Sequence, residues 1–173
     1  MDMLVAEVGG SKATLYRYFP SKDALIEGLT RRIGQRLGTT HPSADLLDLE
    51  LEEALRQIGR TVIKAALSPE AIVLVRLGLG EFTRFPELAK AIWENGPAIS
   101  YRNFRAFLEV RQERGEVTVD DTQLAAEHFL AGLVGHRQVK AALGVQPLPK
   151  PAEAERMLEA AVQMFMARYA VKS

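Results

Sequence analysis

The sequence predicts an all-α protein, a helix-turn-helix N-terminal domain followed by a helical body. Three observations carry the helical class. Alternation of apolar and polar residues is nowhere sustained, and β-branched clusters are short. Apolar residues recur at helical spacing, as in Leu46, Leu49, Ala54, Ile58, Val62 and Ala65. Helix stop and start signals punctuate the chain at regular intervals.

Taken in order, Gly9-Gly10-Ser11 is a turn, with Ser11 placed to cap the following helix. Pro20-Ser21 is a second break, and Asp23 then sits in a first turn, where the helix dipole favours a carboxylate. That helix is expected to reach about Leu37 and stop at Gly38. The polar stretch from Thr39 to Ser43, with Pro42, marks a boundary between residues 1–38 and 44–173. From Ala44 the stripe quoted above predicts one long helix. Ser68-Pro69-Glu70 ends it and starts another, which is expected to run to about Phe85. Phe85-Pro86-Glu87 opens a short helix ending at Asn95-Gly96. Pro97 to Arg114 is the next, closed by Gly115. Asp120-x-x-Gln123 resembles a capping box and opens a helix expected to end near Gly144. The three prolines between Gln146 and Pro151 make a rigid loop, and a last helix covers about Ala152 to Ala170.

Composition narrows the function. Of 173 residues, 47% are hydrophobic and 25% charged, which is the balance of a chain that buries a core. The absence of cysteine excludes a thiol nucleophile, a disulfide scaffold and a thiolate metal site. No run free of Asp, Glu, Lys and Arg exceeds nine residues, too few to span a bilayer. With no apolar leader either, a cytoplasmic location is expected. There is no nucleophile–base pair, no paired acids in a recognisable motif and no phosphate-binding glycine loop, so an enzyme is not expected. His128 and His136 are eight apart, about 12 Å along a helix, too far to share an ion. No metal and no cofactor are expected.

Charge is zero overall, yet residues 12–37 hold six cations against two carboxylates. This local basic patch sits on two helices of helix-turn-helix proportions. Leu15 and Phe19, four apart, form the inward stripe of the helix after the turn. Its outward side is left with Lys12, Thr14, Tyr16, Arg17 and Tyr18, donors suited to phosphates and base edges.

The run Val5-Ala6-Glu7-Val8-Gly9-Gly10-Ser11-Lys12-Ala13-Thr14-Leu15-Tyr16-Arg17-Tyr18-Phe19-Pro20-Ser21-Lys22-Asp23-Ala24-Leu25 resembles the DNA-binding motif of the TetR (tetracycline repressor) family of transcriptional regulators. The resemblance implies a recognition helix over Lys12–Phe19 in the major groove of operator DNA. Thr14, Tyr16, Tyr18 and Lys22 would hold phosphates, and Lys12, Ala13 and Arg17 would face bases. Two departures stand out. Gly10 occupies a position where family members carry Val or Ile, and losing those buried methyls costs roughly 1 kcal/mol or more. The family's domain also has a helix ahead of the one containing Leu4 and Val5, which this sequence starts too late to include. The expectation is a shortened chain that binds operator weakly or not at all.

The body resembles AcrR-type members of the same family, through Val75-Arg76-Leu77, Glu81-x-x-Arg84-Phe85-Pro86-Glu87-Leu88-Ala89 and Gly115-Glu116-Val117. The resemblance implies a pocket for a small apolar or aromatic effector between the middle helices. Its expected lining is Leu74, Leu77, Phe82, Trp93, Tyr101, Phe104, Phe107, Leu108, His128 and Phe129, though aromatics at helical spacing equally serve as plain core. The last two helices read as a dimer interface, because their apolar surface is wider than one stripe requires. Leu124, Gly132, Leu133, Gly135, Val139, Leu158, Val162, Phe165, Met166 and Tyr169 are the residues expected there. The full expectation is a homodimeric repressor on palindromic DNA, released by its effector. The alternative is an N-terminally truncated effector-binding dimer without DNA activity.

Overall fold

The computed structural model describes residues 44–83 and 86–171, and within them the architecture is all-α. The recognition helix and every N-terminal residue named above, Lys12, Ala13, Thr14, Tyr16, Arg17, Tyr18 and Lys22, lie outside the described residues. So does the 1–38 boundary.

The described helices are α1 (Ala44–Asp48), α2 (Leu51–Ala66), α3 (Pro69–Glu81), α4 (Pro86–Glu94), α5 (Pro97–Glu113), α6 (Thr122–Val134), α7 (Arg137–Ala142) and α8 (Pro151–Tyr169). Local chemistry sets most starts. Ser68 caps α3 by accepting from the Ala71 amide at 3.1 Å, and Pro69 fills the first helical position. Asp121 caps α6 by accepting from the Leu124 amide at 3.0 Å. Prolines also open α4, α5 and α8.

Three expectations about boundaries need correction. The stripe from Leu46 to Ala65 is not one helix, because the chain breaks at Leu49-Glu50 and α2 restarts at Leu51. The cap of α6 is Asp121 rather than Asp120. The helix expected to reach Gly144 stops at Val134, since Gly135 takes φ +53°, a left-handed backbone that glycine tolerates without steric cost.

Helices α2, α5, α6 and α8 enclose the main core, with α3, α4 and α7 along its flank. Phe104, Phe129 and Phe165 cluster at its centre. The Phe104 and Phe129 centroids are 4.6 Å apart, and Phe165 stands edge-on to both. Leu55, Leu108, Leu133, Leu158 and Val162 are fully buried around them. Truncating one of these leucines to alanine costs about 2–5 kcal/mol. Gly59 lets α2 approach α6 and α8, because a Cβ there would lie 2.3 Å from Leu158 Cδ1 and 3.2 Å from Leu133 Cδ2. The end of α8 is tied back by the Thr118 amide donating to Tyr169 O at 2.8 Å, and the Val171 amide to Glu116 O at 3.1 Å.

Candidate functional site

Inside the body, Leu46, Ile58, Val62, Ser100, Asn103, Phe104 and Phe107 surround a cavity of about 10 Å³, the room of a single water-sized sphere. Leu46 comes from α1, Ile58 and Val62 from α2, and the rest from α5. The α5 residues follow the i, i+3, i+4, i+7 spacing that aligns side chains on one helix face. All but two of the lining residues are apolar. Asn103 is 7% exposed, and its Nδ2 has no hydrogen-bond partner among the described residues. A buried amide without a partner costs about 1–3 kcal/mol, so its position calls for a reason.

One turn beyond Phe107 on α5 sits Arg111, 2% exposed, with its guanidinium carbon 5.1 Å from the centroid of the Phe107 ring. Its Nη2 donates to Leu46 O at 2.8 Å and to Leu49 O at 2.7 Å, and its Nη1 pairs with Glu116. Arg114 donates to Leu47 O. Arg111 near the end of α5 and Arg114 at its C-cap therefore hold α1 and the residue after it by their carbonyls, while Leu46 of the same short helix lines the cavity. The segment that enters the body from the N-terminal region is thus fastened beside the cavity wall.

A second, open cleft of about 470 Å³ lies between α3 and α7, lined by Ile72, Val73, Arg76, Ala141, Pro147 and Leu148 among others. Arg76 bridges it, donating through Nε to Ala142 O at 2.6 Å and through Nη2 to Ala141 O at 2.9 Å.

The expected pocket residues do not converge. Phe104 and Phe107 line the small cavity. Leu108 and Phe129 belong to the surrounding core, and Leu74 is buried in α3. Trp93 and Tyr101 pair with each other at 5.8 Å, Trp93 being 53% exposed. Burial first, and then the charge of Glu127, pushes the Tyr101 phenol above its ordinary pKa, so it stays protonated. Leu77 is half-buried on α3, whereas Phe82 and His128 are exposed. The sequence reading missed Leu46, Ile58, Val62, Ser100 and Asn103. A usable signal was present, since Ser100 and Asn103 are polar residues placed on the apolar stripe of α5.

The expected interface residues also divide. Leu133, Leu158, Val162 and Phe165 face this chain's own core, at 3% exposure or less, and offer nothing to a second copy. The apolar width of α8 has that simpler explanation, since α2, α5 and α6 cover most of it. Met166 and Tyr169 are half-buried against the same core. Leu124, Gly132, Gly135 and Val139 are exposed, as is Met164. Gly132 lies beside Ala161 of α8, where a Cβ would make an ordinary contact at 3.4 Å, so the helix spacing there does not require glycine.

Known proteins share both halves of this chain. Residues 1–29 match the family model of bacterial regulatory proteins of the tetR family. Residues 53–171 match the model described as the C-terminal domain of AefR-like transcriptional repressors. The chain belongs to the TetR family of transcriptional regulators. Solved structures of TetR-family members agree. One from Mesorhizobium loti is 26% identical with a TM-score of 0.80, over 96% of this chain and 84% of that one. The flavonoid-responsive regulator FrrA is 31% identical with a TM-score of 0.73, over 100% of this chain and 87% of that one. A Pseudomonas syringae regulator, 23% identical with a TM-score of 0.72, covers 99% and 86% and attests the fold alone. No curated protein matches the chain. Among the described residues of this TetR-family regulator, no three His, Asp or Glu could jointly hold a metal ion, and no helix is long and apolar enough to cross a membrane.

Proposed function

We propose that this TetR-family regulator is a cytoplasmic, homodimeric repressor that binds palindromic DNA and is released by a small aromatic effector. The observation that carries the reading is the joining of two parts. One is the Ser-Lys-x-Thr-Leu-Tyr-x-Tyr-Phe-x-Ser-Lys string. The other is a body whose largely apolar cavity is lined on one side by Leu46 of α1, the helix next to the 39–43 stretch. In this reading Lys12, Ala13 and Arg17 face bases, while Thr14, Tyr16, Tyr18 and Lys22 hold phosphates. The aromatic class is supported by the Phe104 and Phe107 walls and by the flavonoid response of a 31% identical relative.

Pairing uses the face that the core leaves free, Leu124, Gly132, Gly135 and Val139 with Met164 of α8. A two-fold axis through this face gives a self-complementary contact, the commonest arrangement for a soluble dimer. The effector acts by favouring a body conformation in which the two recognition helices no longer match successive grooves. DNA must then weaken the effector by the same factor.

Selection of duplexes from a random-sequence library by the full chain tests the reading. In place of the weak or absent operator binding expected from the sequence, this reading expects an enriched inverted repeat with half-sites one helical turn apart, or a multiple of it, and its loss in Arg17→Ala. Failure to enrich any duplex, or enrichment of a single unpaired half-site, would overturn DNA binding or pairing respectively.

A further inference from the structure

The cavity wall contains one side chain that the packing of the body does not explain. Asn103 lies on the core-facing stripe of α5, flanked by Phe104 and Phe107, and is 7% exposed. Its Nδ2 meets no acceptor among the described residues. An apolar residue at this place would fill the same space without the desolvation cost, which makes the amide a liability for stability alone.

We infer that Asn103 is the specificity-determining residue of the effector site, donating its Nδ2 hydrogen to a single carbonyl oxygen on an otherwise apolar aromatic ligand. The inference rests on the aromatic-effector reading above and adds the polar group by which the ligand is chosen. The surroundings fit such a molecule. Phe104 and Phe107 offer ring surface, Ile58 and Val62 offer aliphatic surface, and Asn103 and Ser100 are the polar exceptions. A few polar groups in an apolar cavity are what fixes ligand orientation. A ligand lacking the acceptor would leave the amide unpaired, and sites of this kind reject such analogues strongly.

The cavity of about 10 Å³ is far smaller than a two-ring ligand, so binding must push back a wall. Leu46 is the wall on the shortest element, the five-residue α1. Entry of the ligand therefore displaces the helix that Arg111 and Arg114 hold, and so reaches the segment leading to the N-terminal region.

Flavanone and flavan differ only in the carbonyl at C4 and serve as probes. Calorimetric titration of the full chain is expected to give at least about tenfold tighter binding of flavanone, the factor equivalent to one buried hydrogen bond. In Asn103→Leu the ratio is expected to fall to near one, through loss of flavanone affinity. Asn103→Ala is expected to do the same, and serves if the leucine variant does not fold by circular dichroism. A ratio near one in the wild type, or a preference that persists in both variants, would overturn the role of Asn103 and leave an aromatic effector standing. If the wild type binds neither probe, the aromatic-effector reading falls and the inference with it.

Discussion

Arg111 is the residue on which the body and its entry helix converge. An arginine at 2% exposure needs partners for its buried charge, and this one reaches Glu116, the Leu46 carbonyl of α1 and the Leu49 carbonyl of the α1–α2 connection while its guanidinium faces Phe107. The planar fork matters, since one ammonium cannot span the same three acceptors. Arg111→Met is expected to lower the unfolding free energy by about 1–3 kcal/mol, the cost of leaving the Leu46 and Leu49 carbonyls without their donor while the part-exposed Glu116 turns to solvent, and Arg111→Lys by nearly as much. Urea titration checks this. A loss below about 1 kcal/mol would show that α1 is held by apolar packing rather than by the guanidinium. The sequence did not single out this residue. A cation seven positions after Phe104 reads as solvated surface unless its partners, 62 and 65 residues earlier in the chain, are known.

At the scale of elements, glycines separate helix packing from helix propensity. Gly59 sits where α2 touches α6 and α8, and Gly80 sits in α3 with open space beyond it. Gly59→Ala forces Leu158 and Leu133 aside and is expected to destabilise by about 1–3 kcal/mol. Gly80→Ala is expected to stabilise by about 0.4–1 kcal/mol, because alanine restricts only the unfolded chain there. Thermal melts of the two variants check both signs, and equal shifts in one direction would contradict the packing. Most of these elements were legible beforehand. Ser68-Pro69, Pro86 and Pro97 announce helix starts through chemistry local to a few residues. The breaks at Leu49-Glu50 and Gly135 were not legible, because the apolar stripe runs through the first and a single glycine is often tolerated in a helix. The site was legible only in part. Phe104 and Phe107 stand out by size, whereas Leu46, Ile58 and Val62 reach the cavity only once α1 and α2 fold against α5. Of the expected interface, Leu133, Leu158, Val162 and Phe165 were misassigned because a wide apolar helix looks the same whether a second copy or its own chain covers it.

For the whole molecule, the proposed reading puts an effector cavity, the short helix α1 and, earlier in the sequence, the DNA-binding motif in one chain of causes. Leu46 forms the wall of the cavity, and its carbonyl is held by Arg111. In that reading, movement of the wall alters the constraint on α1. Coupling of this kind is a difference in affinity between two conformations, typically about 1–3 kcal/mol, or 5- to 150-fold. Fluorescence anisotropy of the selected duplex bound to the full chain, during titration with flavanone, tests this chain of causes most directly. The account predicts release of the DNA over the concentration range in which calorimetry shows the body filling. Saturation of the body with the anisotropy unchanged would contradict it.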